Sequence, residues 1–296
     1  LLQSKIQGPP LYLGWGVGVL AISWGAIFIR LADEAPPLAI AAYRLSIASL
    51  AIVPATLTLW APSALRFTRQ QLLLAGLSSL FLAVHFAAWV ASLRYTSVAS
   101  SVVLVTTTPL VVALASRIFL KERLEGPVLL GIGLGLVGSL VIGSGDFHLS
   151  PGQSLLGDAL ALVGALAAAG YFLVGRRLRP QLPVMPYISL VYTGTALLLL
   201  AGAAASGDGL WGYSGKTWLW LVLAALVPQV IGHSLLNWAL ARVTATLVAT
   251  STMAEPVIAT LLALFILNEL PPATSLVGGA IILAGVYLAL WRRQAR

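Results

Sequence analysis

Four ionisable side chains stand inside long apolar stretches of this 296-residue sequence: Arg44, His85, His233 and Glu255. A charge at the centre of a bilayer costs about 2.5 kcal/mol or several times more, so such residues are functional candidates by default. Glu255 lies about eleven residues into its apolar run and directly before Pro256, with Thr252 and Ser251 three and four positions earlier on the same helical face. Proline there removes a backbone hydrogen bond and leaves carbonyls free to face a cavity. Glu255 can therefore titrate a proton or bind an ammonium group. Its bland alternative is a protonated acid that only ties two helices together.

The histidines offer hydrogen bonds to a solute and a charge that switches near neutral pH. Helical spacing puts Trp89 and Ser92 on the face of His85, and Asn237 on the face of His233. The alternative is a packing pair, each ring satisfied by a hydroxyl of the next helix. Arg44 falls about two turns, roughly 12 Å, below one end of its span. It can snorkel outward or pair with Asp33 or Glu34, which is the favoured expectation, or it can hold a substrate carboxylate through a bidentate contact. Trp24 with Phe28, Tyr171 with Phe172, and Trp89 and Trp238 place aromatic rings at mid-span. Trp15, Trp60, Trp211, Trp218, Trp220 and Trp291 fit an interfacial belt instead. No metal site is expected, since the chain has no cysteine and neither histidine has a carboxylate at ligand spacing. No cofactor is implied.

The elements that must position these residues are membrane helices. The chain is 59% hydrophobic and 9% charged, against about 25% charged in a soluble domain. About 20 apolar residues cross a hydrocarbon core as a helix. Ten candidate spans result, at about 11–30, 37–59, 71–93, 97–119, 126–144, 154–175, 185–205, 217–241, 245–267 and 273–291. With alternating spans and a cytoplasmic N-terminus, 13 Lys and Arg fall on the cytoplasmic side, among them Lys5, Arg66, Arg176 and Arg242. Only Arg30, Arg94 and Lys216 fall opposite. This asymmetry in short loops is the positive-inside signal, so the net charge of +8 marks orientation and not a nucleic-acid surface. Both termini are expected in the cytoplasm, and the protein in a bacterial-type inner membrane. The first apolar run is too long for a typical cleaved signal peptide. Because the sequence begins at Leu1 and not at Met, trimming or processing is expected.

Residues 85–143 recur at low identity as 233–290. Pro109, Glu122, Gly131 and Gly138 return as Pro256, Glu269, Gly278 and Gly285, 147 positions on, and His85 and Arg94 return as His233 and Arg242, 148 positions on. The change of offset implies a one-residue gap. Five spans separate the copies, and an odd number inverts the second copy in the membrane. The expected fold is an all-α polytopic membrane protein of ten transmembrane helices, built from two inverted five-helix repeats. The halves are placed at 1–145 and 154–296, joined by a linker at 146–153. Thr108 stands where the second copy has Glu255, so the carboxylate is not duplicated.

These stretches resemble EamA-type units of the drug/metabolite transporter superfamily. The resemblance rests on Trp24-Gly25-Ala26-Ile27-Phe28, Ala42-Tyr43-Arg44-Leu45, the run from Ser97 to Thr108 closing on Pro109-Leu110, and Leu120-Lys121-Glu122-Arg123-Leu124. In the second copy it rests on Glu255-Pro256-Val257 and Leu267-Asn268-Glu269-Leu270. The chain is most similar to the YddG-type exporters, which favour aromatic amino acids. The resemblance implies export of amino acids and related small metabolites by alternating access through a central cavity lined by spans 1, 3, 4, 6, 8 and 9. Pro109 and Pro256 would be its bending points. Expected solute contacts are His85, Trp89, His233, Asn237, Glu255, Thr252, Thr108, Trp24, Phe28, Tyr171 and Trp238, with Arg44 for a carboxylate. Glu255, His85 and His233 are the candidates for proton coupling.

The partners expected are a small-molecule substrate and membrane lipid, with no nucleic acid and no obligate protein partner. An exporter of cationic or amphipathic drugs is the transport alternative, and a non-transporting scaffold or sensor the alternative outside transport. Gly133, Gly135 and Gly138 match a dinucleotide fingerprint but sit inside an apolar span, where close helix packing explains them. Neither H-E-x-x-H nor G-x-S-x-G occurs, so an intramembrane hydrolase is not indicated.

Overall fold

A computed structural model describes residues 9–95, 101, 104–144, 151–267 and 273–291. Lys5, Glu269, Arg292 and most of the expected linker lie outside these residues, as does part of the run from Ser97 to Thr108.

The described residues form helices, turns and bends, with no strand. Seven helical segments are long and apolar enough to cross a membrane, from Leu11–Leu31 to Ala245–Ile266, and three shorter apolar helices accompany them: Thr108–Leu120, Gly126–Val141 and Leu276–Ala289. These are the ten expected spans, numbered 1 to 10 in chain order. Large apolar side chains such as Leu13, Leu50, Leu140, Leu197 and Phe265 project from the bundle, as a lipid-facing surface requires.

The packing reproduces itself when the halves are exchanged. Span 3 (Arg69–Tyr95) lies on spans 6 and 7, and span 8 (Gly215–Leu240) lies on spans 1 and 2. Span 2 (Pro37–Leu59) meets its own counterpart, span 7 (Val184–Ser206), and span 5 (Gly126–Gly143) meets span 10 (Ala273–Trp291). The sense of that last crossing exposes the inversion. A Cβ at Gly131 would lie 2.5 Å from the Gly285 carbonyl oxygen, and one at Gly138 would lie 2.5 Å from that of Gly278. The first helix therefore rises along the second as the second descends. Each repeat glycine meets the counterpart of the other, as a two-fold axis in the membrane plane demands. The small residues serve backbone approach and have no nucleotide to hold.

Departures from straight helix fall where the sequence cannot support one. Spans 4 and 9 both break ahead of their matched prolines, span 4 at a turn over Thr106–Thr107 and span 9 in a 3-10 turn over Thr252–Ala254. Pro109 and Pro256 lack the N–H that would continue the ladder. Threonine hydroxyls take up nearby carbonyls: Thr108 Oγ1 donates to Val105 O at 2.7 Å and Thr252 Oγ1 to Ala249 O at 2.8 Å.

Two further breaks have no twin. Span 1 is interrupted at Ser23–Trp24, between helices Pro9–Ile22 and Gly25–Leu31. Span 8 widens into a π-helix over Ala225–His233, with Pro228 inside it. Span 3, its counterpart, remains α-helical throughout. The second helices of the halves begin 147 positions apart, at Pro37 and Val184, whereas the histidines are 148 apart. A wide turn absorbs one residue more than an α-turn, so the π segment accounts for the added position.

Candidate functional site

Between the halves lies a cavity with about 750 Å³ of free space, solvent-continuous volume included. Its wall carries His85, Phe86 and Trp89 from span 3, Thr106 and Thr108 from span 4, and Tyr171 and Phe172 from span 6. His233 of span 8, with Thr252, Glu255 and Pro256 of span 9, faces them. Ile22 adds span 1, and Arg44 adds span 2, which is not among the six expected lining spans although Arg44 is the expected alternative contact for a carboxylate.

Arg44 is the chief correction to the sequence reading. Only 2% of its surface is exposed, so it does not snorkel. Its Nε donates to Gln229 Oε1 at 3.0 Å, and its guanidinium lies 4.4 Å from the Phe86 ring centroid. Gly25 of span 1 lies against it, a Cβ there coming within 3.4 Å of Nη1. No ion pair joins Arg44 to Asp33 or Glu34 among the described residues. Glu34 instead accepts a hydrogen bond from the Ser214 backbone N–H at 2.8 Å, linking the loop after span 1 to the start of span 8.

The histidines approach the same ring. His85 and His233 have centroids 4.9 Å and 5.5 Å from that of Phe86. Their bonding differs: His85 Nδ1 lies 2.9 Å from the Gly164 carbonyl oxygen of span 6, whereas His233 Nδ1 is buried without a hydrogen-bond partner. Trp89 stacks parallel to His85 at 6.1 Å, one turn along, as the spacing predicts. Ser92 turns away and bonds Ser101 Oγ at 2.6 Å.

Glu255 shares the cavity with Arg44 but forms no ion pair with it. One cation and one acid thus stand apart on the wall of one space, with aromatic faces between them. That arrangement suits a solute carrying both charges and an apolar body.

Other expected contacts fall outside the lining. Asn237 is buried behind Tyr171, donating to its hydroxyl and to the His233 carbonyl oxygen at 2.7 Å. Trp238 packs by Gly14 and under Arg242, whose guanidinium is 4.2 Å from its ring centroid. Trp24 stacks on Phe28, and Phe28 on Trp220, in a ladder apart from the cavity. Pro109 lies beside the wall and Pro256 on it. Sequence reasoning missed Gln229 and Phe86. A search restricted to ionisable residues passes over a neutral amide, although an amide beside a mid-span proline is itself costly in lipid.

On the side where spans 4, 6 and 8 end, the bundle is drawn together. Ser116 and Thr246 hydroxyls are 3.0 Å apart, and Arg176 Nε donates to Glu122 at 2.9 Å and its Nη1 to Leu240 O at 2.8 Å. The cavity-lining parts of spans 4 and 9 lie beyond this closure.

Curated relatives of this chain are named as transporters. The chain is 29% identical over 185 residues to "Uncharacterized transporter YdfC" of Bacillus subtilis, a match covering 62% of this chain and 59% of that protein. An uncharacterized transporter of Archaeoglobus fulgidus is 25% identical over 268 residues, covering 88% and 91% of the two chains. A solved crystal structure superposes with a TM-score of 0.81 at 22% identity, over 98% of this chain and 100% of the other, and so shares the fold. Residues 13–144 and 155–291 each match the EamA-like transporter family, which is a family of the drug/metabolite transporter superfamily, and the chain belongs to it as a multi-pass membrane transporter and not an enzyme.

Proposed function

We propose that this chain exports amino acids, aromatic ones included, by alternating access through the cavity between its two halves. The observation that carries the proposal is the pairing of Arg44 and Glu255 on one cavity wall without an ion pair between them. A free α-amino acid brings a carboxylate for the first and an ammonium for the second. Phe86, Trp89, Tyr171 and Phe172 offer flat apolar faces to its side chain. A cationic drug would find Glu255 but would also meet the buried Arg44 charge, which weighs against that reading. A scaffold would have no need of a cavity between its halves that is lined by an arginine, a glutamate and two histidines. The solute is the only partner required, with lipid around the bundle. The excess of Lys and Arg at the N-terminal face supports an inner-membrane protein with both termini in the cytoplasm.

The deciding experiment is uptake by the purified protein in proteoliposomes. Labelled phenylalanine is expected to enter and to be competed by other amino acids. Absence of flux for every amino acid in a broad panel sinks the proposal, and displacement by a quaternary cation alone moves it to the drug-export class.

A further inference from the structure

We infer that Gln229 is a positioning residue that holds Arg44 without cancelling its charge, and so sets a preference for solutes bearing a free carboxylate. The inference rests on the amino-acid reading above.

Gln229 sits in the middle of the π segment Ala225–His233 and is fully buried. The corresponding positions of span 3 carry Phe81 and Leu82, so the amide belongs to one half only. Its Oε1 accepts from Arg44 Nε at 3.0 Å. Its backbone carbonyl in turn accepts from the Tyr192 hydroxyl at 3.3 Å, on span 7, which anchors the wide turn. Phe86 covers one face of the guanidinium. An arginine side chain has many rotamers, so a free one would sample many orientations across the cavity. Here one edge and one face are fixed.

The choice of amide matters more than the bond. A glutamate at 229 would accept the same hydrogen bond and also neutralise Arg44. A glutamine satisfies one donor and leaves a full positive charge to be answered by something else. Arg44 Nη1 and Gln229 Nε2 are both buried without hydrogen-bond partners among the described residues, and Glu255 is beyond ion-pair reach of the guanidinium. The cluster is rich in donors and short of an acceptor. A carboxylate supplies both the charge and the lone pairs.

The test compares wild type, Gln229→Glu and Gln229→Met in proteoliposomes, using labelled phenylalanine with unlabelled phenylalanine or its primary amide as competitor. The ratio of the two inhibition constants does not depend on how much protein is folded. Wild type is expected to prefer the acid by about tenfold or more, the scale of one charge-assisted hydrogen bond. Gln229→Glu should lower that ratio about tenfold, and Gln229→Met, which adds no charge, should lower it distinctly less. If wild type favours the acid and Gln229→Glu leaves the ratio unchanged, the role of Gln229 is overturned while the amino-acid reading stands. Equal loss in both variants also overturns it, since disturbed packing would then suffice. A wild type that transports phenylalanine without distinguishing acid from amide overturns the carboxylate preference, and a wild type that transports neither overturns both readings.

Discussion

Arg44 and Glu255 face one cavity from spans 2 and 9, and each lacks the other as an ion-pair partner. Two opposite charges in a low-dielectric bundle attract strongly at contact, so keeping them apart requires that each be held elsewhere. Gln229 and Phe86 hold the cation. The turn over Thr252–Ala254 ahead of Pro256 sets the position of the acid.

Removing either charge should therefore act on the solute and not on assembly. Arg44→Gln is expected to lower kcat/KM for phenylalanine tenfold or more, roughly the value of a charge-assisted contact. Glu255→Gln should do likewise. If Glu255 also carries the coupling proton, that variant abolishes pH-dependent exchange, whereas an unchanged pH profile marks a facilitator. Purified variants that bind phenylalanine as tightly as wild type would remove both residues from the site.

The closure where Ser116 meets Thr246 yields a separate prediction. Glu122→Gln weakens the bond from Arg176 Nε, and should open the end where Ser116 meets Thr246. The chain contains no cysteine, so a single Thr246→Cys can report on access without background. Labelling of the purified protein by a water-soluble maleimide is expected to rise several-fold when Glu122→Gln is added. Equal labelling with and without that substitution would mean the ion pair does not gate this end.

The Gly131–Gly285 and Gly138–Gly278 contacts bring backbones together with no room for a methyl group. Gly131→Ala and Gly138→Ala should each destabilise the crossing of spans 5 and 10 by about 1–3 kcal/mol, the usual range for overpacking. Gly133→Ala, where a Cβ would meet nothing within 4 Å, is the control. Thermal unfolding in detergent should rank the three accordingly, and a control as unstable as the others would discredit the packing account.

Outside the membrane, Glu34 gives a pH signature. The backbone N–H of Ser214, ahead of the smaller contributions of its hydroxyl and Thr217, holds the Glu34 carboxyl below the ordinary carboxylate range. A depressed folded-state value means that the contact contributes fully above the unfolded pKa of about 4.3 and is lost as pH falls through the lowered value. Protection of the Ser214 amide against hydrogen exchange should persist at neutral pH and vanish only in acid. Glu34→Gln should weaken it already at pH 7, and pH-independent protection in wild type would show that the carboxylate does not matter.

The spans and the duplication were legible because they depend on apolar run length and on matched residues in order, which survive any local distortion. Faces were less legible where helices depart from 3.6 residues per turn. From His85, on a regular helix, ideal spacing reaches Trp89 correctly. From His233 the same rule points Asn237 at the cavity, yet along the α-helical turn that follows it is Leu236 that lines the cavity, and Asn237 gives its amide to the Tyr171 hydroxyl. Trp24 stands at the break in span 1, so its angular relation to Ile22, which does line the cavity, is not that of one continuous helix. Arg44 was misplaced because depth was judged from its own span, whereas Gln229, Gly25 and Phe86 on three other spans provide the pocket that keeps it buried.

The histidine pair is where symmetry and its failure can be separated by experiment. His85 Nδ1 lies 2.9 Å from a carbonyl oxygen, so that nitrogen must carry the hydrogen and donate to Gly164. The bond joins spans 3 and 6, and losing it should cost about 1 kcal/mol. His233 Nδ1 has no hydrogen-bond partner among the described residues, so no comparable bond is lost with that nitrogen. Both rings also pack against Phe86, and that contribution is common to the two. His85→Ala is therefore expected to unfold at a lower temperature than His233→Ala, while both alanine variants should raise KM for phenylalanine, because both rings line the cavity. His85→Asn, which keeps a donor near Nδ1, should recover part of the stability. Equal unfolding temperatures for the two alanine variants would return the pair to a symmetric packing role.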